Sequence, residues 1–380
     1  MRYDLLLKGG TLIDPAQGIH AARDVGLASG RVVEVGADLP VGLAREVVDC
    51  SDRIVAPGMI DLHVHVFPGV SHYGIEPDHH CLAHGVTTAV DAGSAGADTF
   101  PGFRKYVIDV SATRLFANLN IATLGMVSPR IGELDDLRYA DVSRAVATVE
   151  AHRDVILGIK VRLTAGSIVS EEAGLKPLYL AREAADTVGL PIMVHPNDAW
   201  ADSLDEILTV LKEGDIVTHC FHGKGCGILD EQGCVRRAVL AARERGVRFD
   251  VGHGQGSFKW GVAERALAQG FLPDTISSDL HVYNVHGPVF DLATTVCKFV
   301  HLGLSLDDAL ARVTAVPARS LHMADEIGTL KPGAWGDVVV FEHRRERCAL
   351  TDAEGETRWG AERLAPTLVV RAGKVVAAHG

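Results

Sequence analysis

Short apolar runs, separated by stretches with helical spacing, recur through the middle of the chain. The runs fall at 59–66, 85–92, 114–124, 154–163, 190–195, 215–221, 247–253 and 275–280. Helical stretches between them cover 141–152, 173–188, 201–213, 230–246 and 260–269. Several runs (DVILGIKVRL, LPIMVHP, DIVTHCF) are apolar almost without interruption, as strands covered on both faces are. Eight strands, each followed by a crossover, predict an α/β fold with a (β/α)8 TIM-type barrel. The two ends have a different texture. Residues 3–13, 24–28, 31–36, 337–342 and 367–377 read as short strands punctuated by glycine. Neither end holds enough strands to bury a core alone. The pattern therefore predicts a small composite β-sandwich domain from 1–56 plus 327–380, beside a barrel at 57–326.

Composition narrows the class. Apolar residues make up 47% and charged residues 23% of the 380, which excludes a disordered or fibrous chain. The net charge of −12 leaves no basic footprint for nucleic acid or an anionic membrane. Seven scattered cysteines form no zinc-ribbon pair and point to a reducing compartment. The start, MRYDLLLKGGTLIDP, does not read as a signal peptide, and no run approaches the roughly 18 apolar residues of a membrane span. The expectation is a soluble cytoplasmic protein acting on a small molecule.

Active sites of such barrels form at the C-terminal ends of the strands. The first strand, MIDLHVHV, ends with His63 and His65, two positions apart and so on one face. Two imidazoles inside a barrel are costly unless they bind something or each other. A metal ion satisfies both, since neutral imidazole is a preferred zinc ligand. Lys160 stands inside ILGIKVRL, where an ammonium is nearly always paired or depressed in pKa. It reads either as a salt bridge in the barrel mouth or as a lysine that reacts with carbon dioxide to give a bridging carbamate. His195 and His219 end the fifth and sixth strands, and Asp279 ends the eighth, where it reads as a ligand or a helix N-cap. Jointly these six residues predict a two-metal hydrolytic site, with zinc favoured by the histidines.

The motif PGMIDLHVHV at 57–66, followed in order by Lys160, His195, His219 and Asp279, resembles the amidohydrolase superfamily of binuclear metallohydrolases. The terminal segments LLLKGGTLIDP and GTLKPGAWGDVVVFE are similar to that family's composite β domain. The resemblance implies that His63 and His65 bind the more buried metal and that His195 and His219 bind the other. It implies that Lys160, as a carbamate, bridges both metals. Asp279 would bind the first metal and act as general base, then proton donor, while a metal-bridging hydroxide attacks the substrate. In dihydroorotases an arginine stands two positions past the second histidine; here that position is Phe67. DLHVHVFPG, THCFHG and SSDLHVYNVHGP resemble instead the amidohydrolase/deacetylase subgroup often labelled dihydroorotase-like. That likeness implies deacylation of a small carboxylate, with the acetyl ester of an α-hydroxy acid such as acetyl-(R)-mandelate favoured. The family's members are commonly homo-oligomers.

Candidate substrate contacts on the barrel-mouth loops are His222, Tyr283 and His286, with Arg162 sharing the face of Lys160. Arg162 reads equally as a structural ion pair, and Lys224 is a further local cation. His72, His79, His80 and His84 read as solvated or supporting residues, and Cys220 as facing away from the site by strand alternation. The competing functions are a cyclic amide hydrolase of the dihydroorotase or hydantoinase kind, an N-acyl amino acid deacetylase, a deaminase or lyase, and a silent barrel. A complete ligand set argues against silence, and Lys160 argues against a one-metal deaminase.

Overall fold

The computed structural model describes residues 1–378. Seven parallel strands pair in chain order: Met59–Val64, Val86–Gly96, Arg114–Asn120, Ile156–Arg162, Ile192–His195, Ile216–Val217 and Arg248–Phe249. Residues 275–280 fill the gap between the last and the first through bridges from Asp250 to Thr275 and from Val64 to Leu280. This closes the sheet into the expected barrel. The closing segment is no regular ladder, because Asp279 takes a left-handed φ of 49°. Asp61 makes up for that: its carboxylate accepts from the backbone N–H of Ser278 at 3.0 Å and from the Ser278 hydroxyl. Asp61 has no solvent to turn to, so these bonds bind the first strand to the closing one.

The sixth and seventh strands are shorter than expected. Their ladders stop at Val217 and Phe249, since His219 (φ 64°) and Gly252 (φ 46°) turn the chain out of the sheet. The helices are also trimmed. The expected 173–188 becomes Lys176–Val188, which buries Leu178, Ala181, Ala185 and Val188 at helical spacing, with Pro177 in its first turn and Gly189 at its C-cap. The expected 230–246 becomes Arg237–Glu244, because Asp230 closes a turn by accepting from Gln232 and Cys234 N–H groups.

Both termini build two further sheets. One orders the strands Arg31–Gly36, Asp24–Ala28, Tyr3–Lys8 and Ala44–Asp49. The other orders Lys374–Ala378, Arg363–Arg371, Val338–Arg344, Ile54–Pro57, Thr11–Asp14 and Ile19–Ala22. Leu5, Leu7, Val25, Leu27, Val55, Val338 and Val370 form a core of their own between them. Asp337 ties this unit to the base of the barrel, accepting from Arg114 at 2.6 Å, Arg371 at 3.2 Å and the Ala372 N–H at 2.7 Å. A hairpin, Cys348–Thr351 with Thr357–Gly360, leaves the unit and packs on the barrel near Trp260, whose indole donates to the Glu356 carbonyl.

Candidate metal centre

A cavity of about 380 Å³ opens at the C-terminal end of the barrel strands. Its wall holds all six predicted ligand residues: His63, His65, Lys160, His195, His219 and Asp279. The Nε2 atoms of His63 and His65 lie 3.4 and 3.2 Å from Asp279 Oδ1. Lys160 Nζ lies 3.5 Å from His63 Nε2. The rings of His195 and His219 are 4.4 Å apart, and His219 is 5.0 Å from His63.

The supporting bonds set the tautomers of His219 and His63 and orient the other two rings. His219 Nδ1 meets the Gly252 carbonyl at 2.6 Å, so it must donate, which leaves Nε2 as a lone pair. His63 Nδ1 lies 2.8 Å from Thr218 Oγ1, whose own proton goes to Asp250 Oδ2 at 2.9 Å, so His63 Nδ1 donates too. Asp250 also accepts from Thr275 and Ser277 at 2.6 Å each. His65 Nδ1 pairs with Ser94 at 2.9 Å, and Asp91 in turn holds the Ser94 and Val66 N–H groups. His195 Nε2 pairs with Thr164 at 3.2 Å. Such outer partners orient metal-binding imidazoles.

Electrostatics sharpens the picture. Burial pulls the pKa of His65 down to about 3 and those of His63, His195 and His219 well below the usual value. Burial also lowers Lys160 and raises Asp279. Asp279 Oδ1 is buried and has no hydrogen-bond partner. The Nε2 lone pair of His63 and the Nε2 atom of His65 thus crowd a buried carboxylate oxygen that has no hydrogen bond, an arrangement that a cation among them relieves. His63, His65 and Asp279 present ligand atoms within 4.8 Å of one another, and these residues fit a divalent metal.

Three glycines make room for the set. A Cβ at Gly254 (φ 57°) would strike Asp279 Oδ2, and one at Gly252 would lie 2.7 Å from His219 Nδ1. A Cβ at Gly93 would come within 2.7 Å of the Lys160 side chain. His219 and Asp279 themselves hold left-handed backbone, a cost that the surrounding hydrogen bonds sustain.

Of the four expected substrate contacts, the wall holds only Arg162. Its guanidinium is 3.3 Å from Glu133 and 3.5 Å from the Tyr73 hydroxyl. His222 is folded beneath its own loop, where Nδ1 accepts from the Lys224 N–H. Tyr283 stands half-exposed at the rim. His286 lines a separate cavity with His79, His80 and His84, because the chain turns away after His281. Cys220 is buried and its thiol pushed well up, but not through strand alternation, since the ladder ends at Val217. Sequence reasoning missed Tyr73, Thr164, Asn197, Ser257 and His281. His281 carried a signal, lying two residues past Asp279; the others stand in loops without a pattern.

A model of the amidohydrolase family matches residues 54–376. The chain belongs to this family. Among its curated relatives, Deacetylase Atu3266 of Agrobacterium fabrum is 35% identical over 351 residues, covering 92% of this chain and 85% of that one. A protein named deacetylase from Enterococcus faecalis is 34% identical over 379 residues, covering 99% of both. A solved structure titled as an adenine deaminase superposes with a TM-score of 0.90 at 33% identity, covering 98% and 99% of the two chains. This amidohydrolase is therefore a hydrolytic enzyme of a generally metal-dependent, binuclear family. No helix among its described residues is long and apolar enough to cross a membrane.

Proposed function

We propose that this amidohydrolase removes the acyl group from a small carboxylate substrate, best represented by the acetyl ester of an α-hydroxy acid such as acetyl-(R)-mandelate. His63, His65 and Asp279 would hold one metal, His195 and His219 a second, and Lys160 as a carbamate would link them. Zinc suits this donor set. The observation that carries the reading is the buried Oδ1 of Asp279, without a hydrogen bond and 3.4 and 3.2 Å from the Nε2 atoms of His63 and His65. When bound, the two ions supply a lowered water pKa and polarise the acyl carbonyl.

The chain's own residues do the rest. Asp279 takes a proton from the attacking water and returns it to the leaving alkoxide, so acetate and the hydroxy acid are released. Arg162 lines the cavity with its guanidinium 3.3 Å from Glu133, and is our candidate for gripping the substrate carboxylate. Phe67 is packed at 4.7 Å against Phe103 and lies outside the cavity wall, so a clamp at that position is replaced by one from the fourth strand. The lowered pKa of Lys160 supports the carbamate, since only a neutral amine attacks carbon dioxide. All seven cysteines are free, which supports a cytoplasmic setting.

The test is a hydrolysis panel with metal-loaded protein and bicarbonate. It sets O-acetyl α-hydroxy acids of both hands against N-acyl amino acids, dihydroorotate, hydantoins and adenine. Stereoselective acetate release, lost by at least about a hundredfold in Asp279→Asn, is the expected result. Turnover of a cyclic amide or of adenine in preference would overturn the deacylase reading.

A further inference from the structure

Among the described residues, two lysines are fully buried: Lys160 in the site and Lys298 on the helix Leu292–His301. Nothing in the chemistry above uses Lys298. Its Nζ lies 2.7 Å from His253 Nε2, 2.8 Å from the Pro288 carbonyl and 2.6 Å from the Thr351 carbonyl. An ammonium has three donors, and here each finds an acceptor. The acceptors come from three different places: the loop after the seventh strand, the loop after Asp279, and the hairpin that folds back from the terminal unit.

The first of these loops forms the cavity wall. His253 Nδ1 donates to the Gly254 carbonyl at 2.8 Å, so its Nε2 is free to accept from Lys298. The His253 ring stacks on Phe258 at 4.7 Å, and the Ala353 N–H of the hairpin donates to the Phe258 carbonyl. Between these anchors, Gly254 packs against Asp279 Oδ2, while Gln255, Gly256 and Ser257 line the cavity. Ser257 also receives the Asn197 side-chain N–H at 3.0 Å.

We propose that Lys298 is a positioning residue for the reaction: it pins the 253–257 wall and thereby seats the Asp279 carboxylate without touching substrate. This rests on the functional reading above only for its effect on turnover. The anchoring itself is independent of metal and substrate.

The experiment compares Lys298→Met with Arg358→Gln in the whole chain. Arg358 ties the same hairpin to the barrel through Glu264 and Glu356, whereas the three acceptors of Lys298 are on His253, Pro288 and Thr351. Two quantities are read: amide hydrogen exchange at His253 and Gly254, whose N–H groups donate to Ser277 and Ser278 carbonyls, and kcat against KM on whichever substrate the wild type turns over. Lys298→Met should accelerate exchange at these two amides and lower kcat at least about tenfold with KM little changed, whereas Arg358→Gln should keep kcat within about twofold. Unchanged exchange in Lys298→Met, or an equal loss of kcat in Arg358→Gln, would overturn the proposal. If Lys298→Met does not fold, His253→Asn removes one of the three bonds and must show the same split. A wild type that turns over no substrate would refute the functional reading, and the exchange comparison would then decide the anchoring alone.

Discussion

At the scale of single residues, the site is organised by what its side chains accept and donate. Gly254 illustrates how little slack there is. A methyl group there would meet Asp279 Oδ2 on a backbone with φ of 57°. Gly254→Ala should therefore lower kcat at least about a hundredfold by displacing the proton shuttle, measured beside Gly261→Ala, which adds a methyl with nothing within 4 Å. Equal kcat in both variants would mean that Asp279 tolerates displacement. The six ligand-type residues were readable in the sequence because each ends or interrupts an apolar strand. Their supporting hydrogen bonds were not, since Thr218, Ser94, Gly252 and Thr164 are ordinary residues whose partners only the fold brings near. Arg162 was legible through its two-residue offset from Lys160, and Glu133, its partner, was not.

At the scale of elements, eight apolar runs were visible but their ends were not. Strands six and seven shrink to two residues each, because left-handed residues at 219 and 252 turn the chain outward. Periodicity cannot reveal that, as His219 carries no Gly or Pro signal. The turn at His219 also folds His222 beneath its own loop, while His286 leaves the cavity because the chain turns away after His281. The hairpin 348–360 went unseen because its residues alternate too weakly to mark a strand pair. The join between the terminal sheets and the barrel carries a separate prediction. Asp337 is buried and holds Arg114 and Arg371. Asp337→Ala should cost about 3 kcal/mol of stability by leaving both cations unpaired. It should leave kcat unchanged, because Arg114 begins its strand at the face opposite the site. Denaturant unfolding beside steady-state kinetics checks both parts; a loss of kcat without a loss of stability would contradict them.

At the scale of the whole molecule, a barrel supplies the rim on which distant segments meet. Residues 63 and 279 lie at opposite ends of the barrel sequence yet sit 3.4 Å apart, because the closing segment returns beside the first strand. The terminal sheets contribute no wall residue to the cavity, which is built from positions 63–281. The molecule's function thus depends on one claim: that these converging donors hold two divalent ions needed for hydrolysis. The most direct measurement is metal analysis with activity on chelator-stripped protein, reloaded stepwise with zinc in the presence of bicarbonate. The account predicts no hydrolysis without metal, activity that saturates near two ions per chain, and loss of the second ion in Lys160→Ala with partial recovery by added short carboxylates. Full hydrolysis by stripped protein, or an unchanged metal content and rate in Lys160→Ala, would contradict it.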